Sequence, residues 1–201
     1  AAHVSAWTNR KPVVYAGSND GMLHAFSADS ADGGAELWAY VPTAVMPSMY
    51  LLGDKNYENL HRHRVDGTPV VADIYNTSSG TWHTILIAGL NSGGRAYYAL
   101  DVTDPLDPQL LWEFSNANDA DLGLSYGNPV VTKRTDGTWV VMFASGYNNI
   151  GAGDGQGYLY VLNAYTGSQM LKIPTGAGST TTPSGLAKIN VWLDSVVDNT
   201  A

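Results

Sequence analysis

The chain has no cysteine, few charged residues and no long apolar run, and each absence removes a class of protein. Without cysteine there can be no disulfide framework, thiolate metal site or cysteine nucleophile. No apolar stretch approaches the roughly 20 residues that a membrane-spanning helix needs. Only 14% of the residues are charged, and the ten Lys and Arg are scattered against 18 Asp and Glu. A nucleic-acid partner is not expected, because phosphate binding requires a clustered basic surface.

What the chain does have is glycine and short apolar segments. It carries 22 Gly and 9 Pro among 201 residues, and 44% of the residues are hydrophobic. Many tight turns must therefore separate apolar segments, which favours an all-β fold. The length suits one domain, or part of a large one, spanning residues 1–201. The chain starts without Met and closes without a terminal signal, so we expect it to be a piece of a longer, exported protein.

One unit is repeated along the chain. Residues 67–71, Gly-Thr-Pro-Val-Val, recur as Gly-Asn-Pro-Val-Val at 127–131, and a degenerate copy begins at Gly185; the copies start 60 and 58 residues apart. Three further elements recur between these copies: a β-branched strand closed by a small residue, an apolar strand after a glycine turn, and an amphipathic edge strand. Their copies are residues 13–17, 85–89 and 142–146; then 21–26, 94–100 and 157–162; then 36–40, 110–114 and 169–173.

Four short antiparallel strands in a unit of about 60 residues are typical of a β-propeller blade. We therefore predict a partial β-propeller of four-stranded antiparallel blades, with about two complete blades and parts of two more. The predicted blades are the last three strands of one blade at 12–42, whole blades at 67–115 and 127–174, and the first strand of the next at 185–193. This arc cannot close a ring. The insertion 43–66 is expected to form a short helix near residues 49–52 and a loop over one propeller face.

Several phrases together resemble the PilY/PilC family of type IV pilus biogenesis factors. They are Gly-Ser-Asn-Asp-Gly-Met-Leu-His-Ala-Phe at 17–26, Glu-Leu-Trp-Ala-Tyr-Val-Pro at 36–42, and the stretch ending Ala-Leu-Asp-Val-Thr-Asp-Pro at 93–105. The likeness continues through 145–149 and 157–167 and so covers nearly the whole chain.

The resemblance implies a non-catalytic C-terminal propeller of a pilus tip-associated adhesin. Such a protein supports pilus assembly, opposes retraction and contributes to surface attachment. Its expected partners are pilus subunits or minor pilins and a host or surface receptor. Its expected location is the cell surface, at the pilus tip, the outer membrane or the periplasm.

The resemblance also implies calcium, which such relatives often bind in a C-terminal Asp-rich loop. Here Asp194, Asp198 and Asn199 offer two carboxylates and an amide as candidate Ca²⁺ ligands, although a solvated loop would have the same composition. Asp154, in the glycine-rich loop 148–156, is a second candidate, which an ordinary wide hairpin loop explains equally. The acidic loop 116–121 resembles half of a cation site and also suits a polar connection between blades.

The sequence also offers a histidine pair as a candidate metal site and allows two alternative functions. His61 and His63, near Asp66, have metal-ligand spacing but no third ligand, whereas His24 and His83 are expected to hydrogen-bond neighbours. We find no nucleophile elbow, phosphate loop or zinc helix, and expect no enzymatic activity. One alternative is a fragment of a quinone-dependent dehydrogenase, suggested by the turn 163–167, Trp38 and Trp112. Another is a carbohydrate- or protein-binding propeller using loops 43–66 and 116–126.

Overall fold

A computed structural model gives the fold and describes residues 9–192. Its strands form three antiparallel sheets, one of three strands and two of four, in which each strand pairs with its neighbour in sequence. The sheets do not close into a ring, so the chain is an arc of a β-propeller. The strands are β1 (Val13–Gly17), β2 (Leu23–Ser27), β3 (Glu36–Tyr40), β4 (Val70–Asn76), β5 (Thr81–Gly89), β6 (Ala96–Asp101), β7 (Gln109–Ser115), β8 (Val130–Lys133), β9 (Trp139–Ala144), β10 (Gln156–Asn163) and β11 (Gln169–Gly178).

Strand β5 shows why these segments carry continuous apolar runs rather than a strict alternation. Ile85 and Ile87 face a core shared with the third sheet, whereas Leu86 and Ala88 face a core shared with the first. All four side chains are fully buried. A strand that is covered on both faces must be apolar at every position, because successive side chains point to opposite faces.

The two cores join neighbouring sheets. Between the second and third sheets the core is largely aromatic, and the rings of Tyr97 and Phe143 stack with centroids 4.0 Å apart. Between the first and second sheets it is mainly aliphatic and includes Leu23, Val65 and Leu100. Burial of these side chains supplies the main free energy holding blade against blade.

Each repeated glycine at the start of the Gly-x-Pro-Val-Val phrase lies directly against another backbone. A Cβ on Gly67 would come within 2.0 Å of the Gly89 carbonyl oxygen, and one on Gly127 within 2.1 Å of the Ala187 carbonyl oxygen. Gly127 also has a φ of 109°, which other residues rarely adopt. The repeat therefore retains glycine where the chain enters a blade and passes tightly beside its neighbour.

The antiparallel order places the loops on two opposite faces. One face, the hairpin face, carries the turns at 28–35, 77–80, 102–108, 134–138 and 164–168. The other, the connection face, carries the turns at 18–22, 90–95 and 145–155 and the longer connections 41–69 and 116–129. Each of these two faces carries one of the candidate contact surfaces described below.

The insertion 43–66 contains a 3₁₀ helix, Met46–Gly53, and one turn of α-helix, Tyr57–Leu60, on the connection face. Arg64 anchors it. This guanidinium is fully buried and donates to the carbonyl oxygens of Asn19 and Ser48, at 3.0 and 3.2 Å, and to the Tyr57 hydroxyl at 3.1 Å. Because buried charges need such partners, the insertion is fixed to the turn after β1.

Two features differ from the sequence-based prediction. Strand β11 runs on to Gly178, beyond the expected blade end at residue 174. The strand expected at 185–193 is not formed as a strand within 185–192; only an isolated bridge between Gly146 and Leu186 marks it. A full strand requires a continuous ladder of partners, which this stretch does not have in the described residues. Within residues 9–192, no helix has the length and apolar character needed to cross a membrane.

Candidate functional site

The acidic loop 116–121 and the glycine-rich loop 148–156, separate candidates in the sequence, meet on the connection face. Lys172, from β11, donates to Asp119 Oδ1 at 2.9 Å and to Asp121 Oδ2 at 2.6 Å. The backbone N–H of Asp154 donates to Asp121 Oδ1 at 2.7 Å, and the Tyr158 hydroxyl donates to Asp154 Oδ2 at 2.6 Å. We call these five residues the Lys172 cluster.

Lys172 offsets part of the negative charge of the cluster, which has three carboxylates and one ammonium. The Lys172 ammonium lies between two carboxylates and 4.3 Å from the centroid of the Tyr158 ring. Burial opposes the charge on Lys172, but hydrogen bonds and attraction from Asp119 and Asp121 outweigh it, so the pKa of Lys172 is raised. The cluster therefore ties the loop between two blades to the outer strand of the third sheet.

The hydrogen bond between Tyr158 and Asp154 shifts both groups. It lowers the pKa of Asp154 and raises the pKa of Tyr158 to about 12, because it favours the ionised carboxylate and the protonated phenol. Asp154 Oδ1 also accepts from the backbone N–H of Gln156 at 2.8 Å, and Oδ2 from the Gln156 amide at 3.0 Å. This carboxylate is occupied by protein donors.

Calcium binding stays a prediction. Across residues 9–192, no group of three or more His, Asp or Glu side chains is arranged to hold a metal ion. In this arrangement Asp154, Asp119 and Asp121 accept hydrogen bonds from protein donors, and a calcium site at Asp154 or in the acidic loop also stays a prediction. Asp194, Asp198 and Asn199 lie outside the described residues.

His24 and His83 hydrogen-bond neighbouring side chains, as the sequence suggested. His24 lies between Glu36, 2.8 Å from Nδ1, and Asp20, 2.9 Å from Nε2. His83 Nδ1 lies 2.6 Å from Asp101 Oδ2. Each of these two histidines thus bonds a neighbour.

The candidate pair in the insertion has a different environment. His61 and His63 are exposed, and their rings meet edge to face with centroids 5.7 Å apart. Asp66, which lies near them in the sequence, is also exposed. They belong to no metal-holding group among the described residues.

The two tryptophans that suggested a dehydrogenase blade act as ties between sheets. Trp38 Nε1 donates to the carbonyl oxygen of Pro105 at 2.8 Å. Trp112 is buried, and its Nε1 donates to the carbonyl oxygen of Ala164 at 3.0 Å. A buried indole N–H needs an acceptor, and in both cases the acceptor is a turn of the next blade.

On the hairpin face, sequence reasoning missed a row of aromatic side chains. Tyr75 and Trp82 are direct cross-strand partners in the β4–β5 hairpin, with ring centroids 5.4 Å apart. Trp139, which begins β9 in the next blade, meets Trp82 edge to face at 6.1 Å. The Tyr75 and Trp82 side chains are 36% and 41% exposed. These three rings line a groove that we call the aromatic cleft.

On the connection face, the insertion presents apolar side chains to solvent. Met46, Tyr50 and Leu60 are all exposed, Tyr50 by 76%. They project from the segment that Arg64 fixes in place. A group of large apolar side chains on a rigid surface segment is a common feature of protein contact sites.

Comparison with known proteins agrees with this architecture. A solved structure, the Pseudomonas aeruginosa PilY1 C-terminal domain, aligns with a TM-score of 0.79 and 36% identity over 99% of this chain and 37% of that one. The chain is 41% identical over 192 residues to a type IV pilus biogenesis factor PilY1 homolog of Xylella fastidiosa, covering 96% of this chain and 15% of the relative. It is 39% identical over 183 residues to the P. aeruginosa factor PilY1, covering 90% and 15%.

The class of protein is thus a type IV pilus factor propeller. A family model described as the PilY1 beta-propeller domain matches residues 1–201, and the chain belongs to this family. The chain spans about 15% of the length of these curated relatives.

Proposed function

We propose that this chain is a non-catalytic propeller segment of a cell-surface type IV pilus biogenesis factor. The observation that carries the proposal is the match of the whole chain to the PilY1 propeller family, together with relatives about 40% identical that are named as pilus biogenesis factors. The protein containing it supports pilus assembly, opposes retraction and mediates surface attachment from the pilus tip or outer membrane.

The insertion offers the contact surface for a pilus subunit or minor pilin. Met46, Tyr50 and Leu60 supply apolar area, and Arg64 together with the turn after β1 fixes the segment. A preorganised surface loses little conformational entropy on binding, which favours association with a partner. Attachment to a host or surface receptor would use the same protein through a different surface.

The test is complementation of a strain that lacks the protein. The full-length gene should restore surface pili, and a Met46→Ser/Tyr50→Ser double variant should restore clearly fewer at equal protein level. Leu106→Ser is the matched control, because Leu106 is an exposed apolar residue on the hairpin face. Full piliation by the double variant would reject the insertion as the contact surface, and no loss of pili in the deletion strain would reject the function.

Calcium completes the proposal. Asp194, Asp198 and Asn199 would contribute oxygen ligands to one Ca²⁺ ion, with the remaining ligands supplied by other residues or water, because three side chains alone cannot complete a shell of six to eight oxygens.

A further inference from the structure

The aromatic cleft is a complete feature of two adjacent blades. Tyr75 and Trp82 come from the second sheet and Trp139 from the third, and these sheets share a close-packed core. Both walls therefore belong to this chain and are held rigidly, so the groove needs no further blade to form. Its volume is about 380 Å³, within the range of pockets that bind small molecules.

The rings of the cleft are placed on strands with part of their surface open to water. Leaving apolar area exposed forfeits about 25 cal/mol per Å² of burial. A single exposed aromatic residue needs no explanation, but here two exposed rings, Tyr75 and Trp82, adjoin the half-buried Trp139 at a groove, which favours a binding site. The negative face of an aromatic ring suits a ligand that presents weakly positive C–H groups.

A smaller recess adjoins the cleft between the same two hairpins, shares Tyr75, Thr77 and Trp139 with it, and has a polar, uncharged lining. Asn76 and Asn163 spend their side-chain oxygens on turn N–H groups, Asn76 on Ser78 and Asn163 on Tyr165 and Thr166. Their amide N–H groups can still donate to a ligand. The hydroxyl and amide groups that line the groove and its adjoining recess belong to Asn76, Thr77, Ser78, Thr138, Asn163 and Thr166.

The charge of the lining side chains favours a neutral ligand over a charged one. Among the residues that line the groove and recess, none is Asp or Glu, and Lys133 is the one charged side chain. A cationic ligand would find no counter-charge, and a polyanion would find a single ammonium. A ligand with an apolar face and many hydroxyl groups matches both halves of the lining.

We propose that the aromatic cleft binds a neutral hexopyranose unit of a surface glycan. The sugar stacks its C–H face on the Trp82 and Tyr75 rings, and its hydroxyl groups bond the amides and hydroxyls of the two hairpin turns. Binding is non-covalent. This inference goes beyond the role in pilus assembly and does not require it, since the cleft and the insertion lie on opposite faces.

The intact protein should be titrated with methyl glucoside, galactoside and mannoside and with maltose, cellobiose and lactose. Saturation-transfer NMR and tryptophan fluorescence report binding. We expect at least one sugar to bind, with a Kd on the order of 1 mM for a single ring, as expected for a ligand of this size. Trp82→Ala should weaken that sugar at least about tenfold, equivalent to about 1.4 kcal/mol.

Two further variants keep the test decisive. Trp192→Ala should leave binding unchanged, because Trp192 is 90% exposed and does not line the cleft. Thr77→Ala removes one lining hydroxyl from an exposed turn and should weaken binding about threefold, in the range of one hydrogen bond. The proposal is overturned if no sugar binds, or if Trp82→Ala and Thr77→Ala bind the sugar like the parent protein. Normal surface piliation of Trp82→Ala cells would show that this site and the assembly function are separate.

Discussion

Removing the charge of Lys172 should destabilise the propeller far more than its surface position suggests. The Lys172→Met variant retains an apolar stem but leaves Asp119 and Asp121, whose side chains are only 15% and 17% exposed, without their ammonium. Breaking a buried ion pair in this way costs about 3–5 kcal/mol. Because the Lys172 side chain is itself 23% exposed, water screens part of that loss, and we expect about 2–3 kcal/mol.

The assay is urea unfolding of the intact propeller domain, followed by circular dichroism. Lys11→Met is the matched control: Lys11 also holds a carboxylate at 2.8 Å, but its partner Asp32 is well exposed, so the loss should be clearly smaller. Asp121→Asn in the Lys172→Met background should recover part of the stability, since it removes one uncompensated charge. Equal losses for the two lysines, or no coupling between Lys172 and Asp121, would refute the electrostatic account.

Three further predictions concern the fold and the calcium proposal. Gly127→Ala should lower the unfolding midpoint and cost more than about 1 kcal/mol, because its Cβ meets the Ala187 carbonyl; an unchanged midpoint in thermal unfolding would contradict this close approach. NMR titration should give His24 a pKa above 6.5, chiefly through its hydrogen bond to Glu36. The stability that protonated His24 contributes is then fully present below its pKa in the unfolded chain, and it is lost as the pH rises through its pKa in the folded protein. A value at or below 6.5 would refute that bond. Calorimetry should show Ca²⁺ binding that Asp194→Asn weakens and Asp154→Asn leaves intact; the reverse pattern would exclude the C-terminal ligands.

The sequence repeat predicted the sheets well because each strand of a blade pairs with its neighbour in the sequence. Residues 85–89, expected to form a buried strand, form the end of β5, and the recurring glycine at 67 and 127 marks the entry to each four-stranded sheet. Turn glycines and apolar runs are signals that neighbouring residues generate. The strand predicted at 185–193 is not formed within 185–192, because a strand depends on partners that the described residues do not supply.

Contacts between blades were the part that the sequence could not predict. The acidic loop 116–121 and the glycine-rich loop 148–156 were visible in the sequence, but their contact through Asp121 and Asp154 was not. Lys172, which pairs with the acidic loop, lies 53 residues from Asp119, and its position in the sequence is that of an ordinary edge-strand residue. Trp139 likewise lies in a different blade from Tyr75 and Trp82. Such clusters arise from the packing of one blade on the next, which periodicity along a single strand does not encode.

We propose above that the protein containing this propeller supports type IV pilus assembly by opposing retraction. The most direct measurement is the number of surface pili, counted by electron microscopy, in cells that lack the protein and have either an active or an inactive retraction motor. The account predicts few or no pili when the motor is active and substantial recovery when it is inactive. Pili at parent level with the motor active would contradict a role in assembly, and no recovery without the motor would contradict the opposition to retraction.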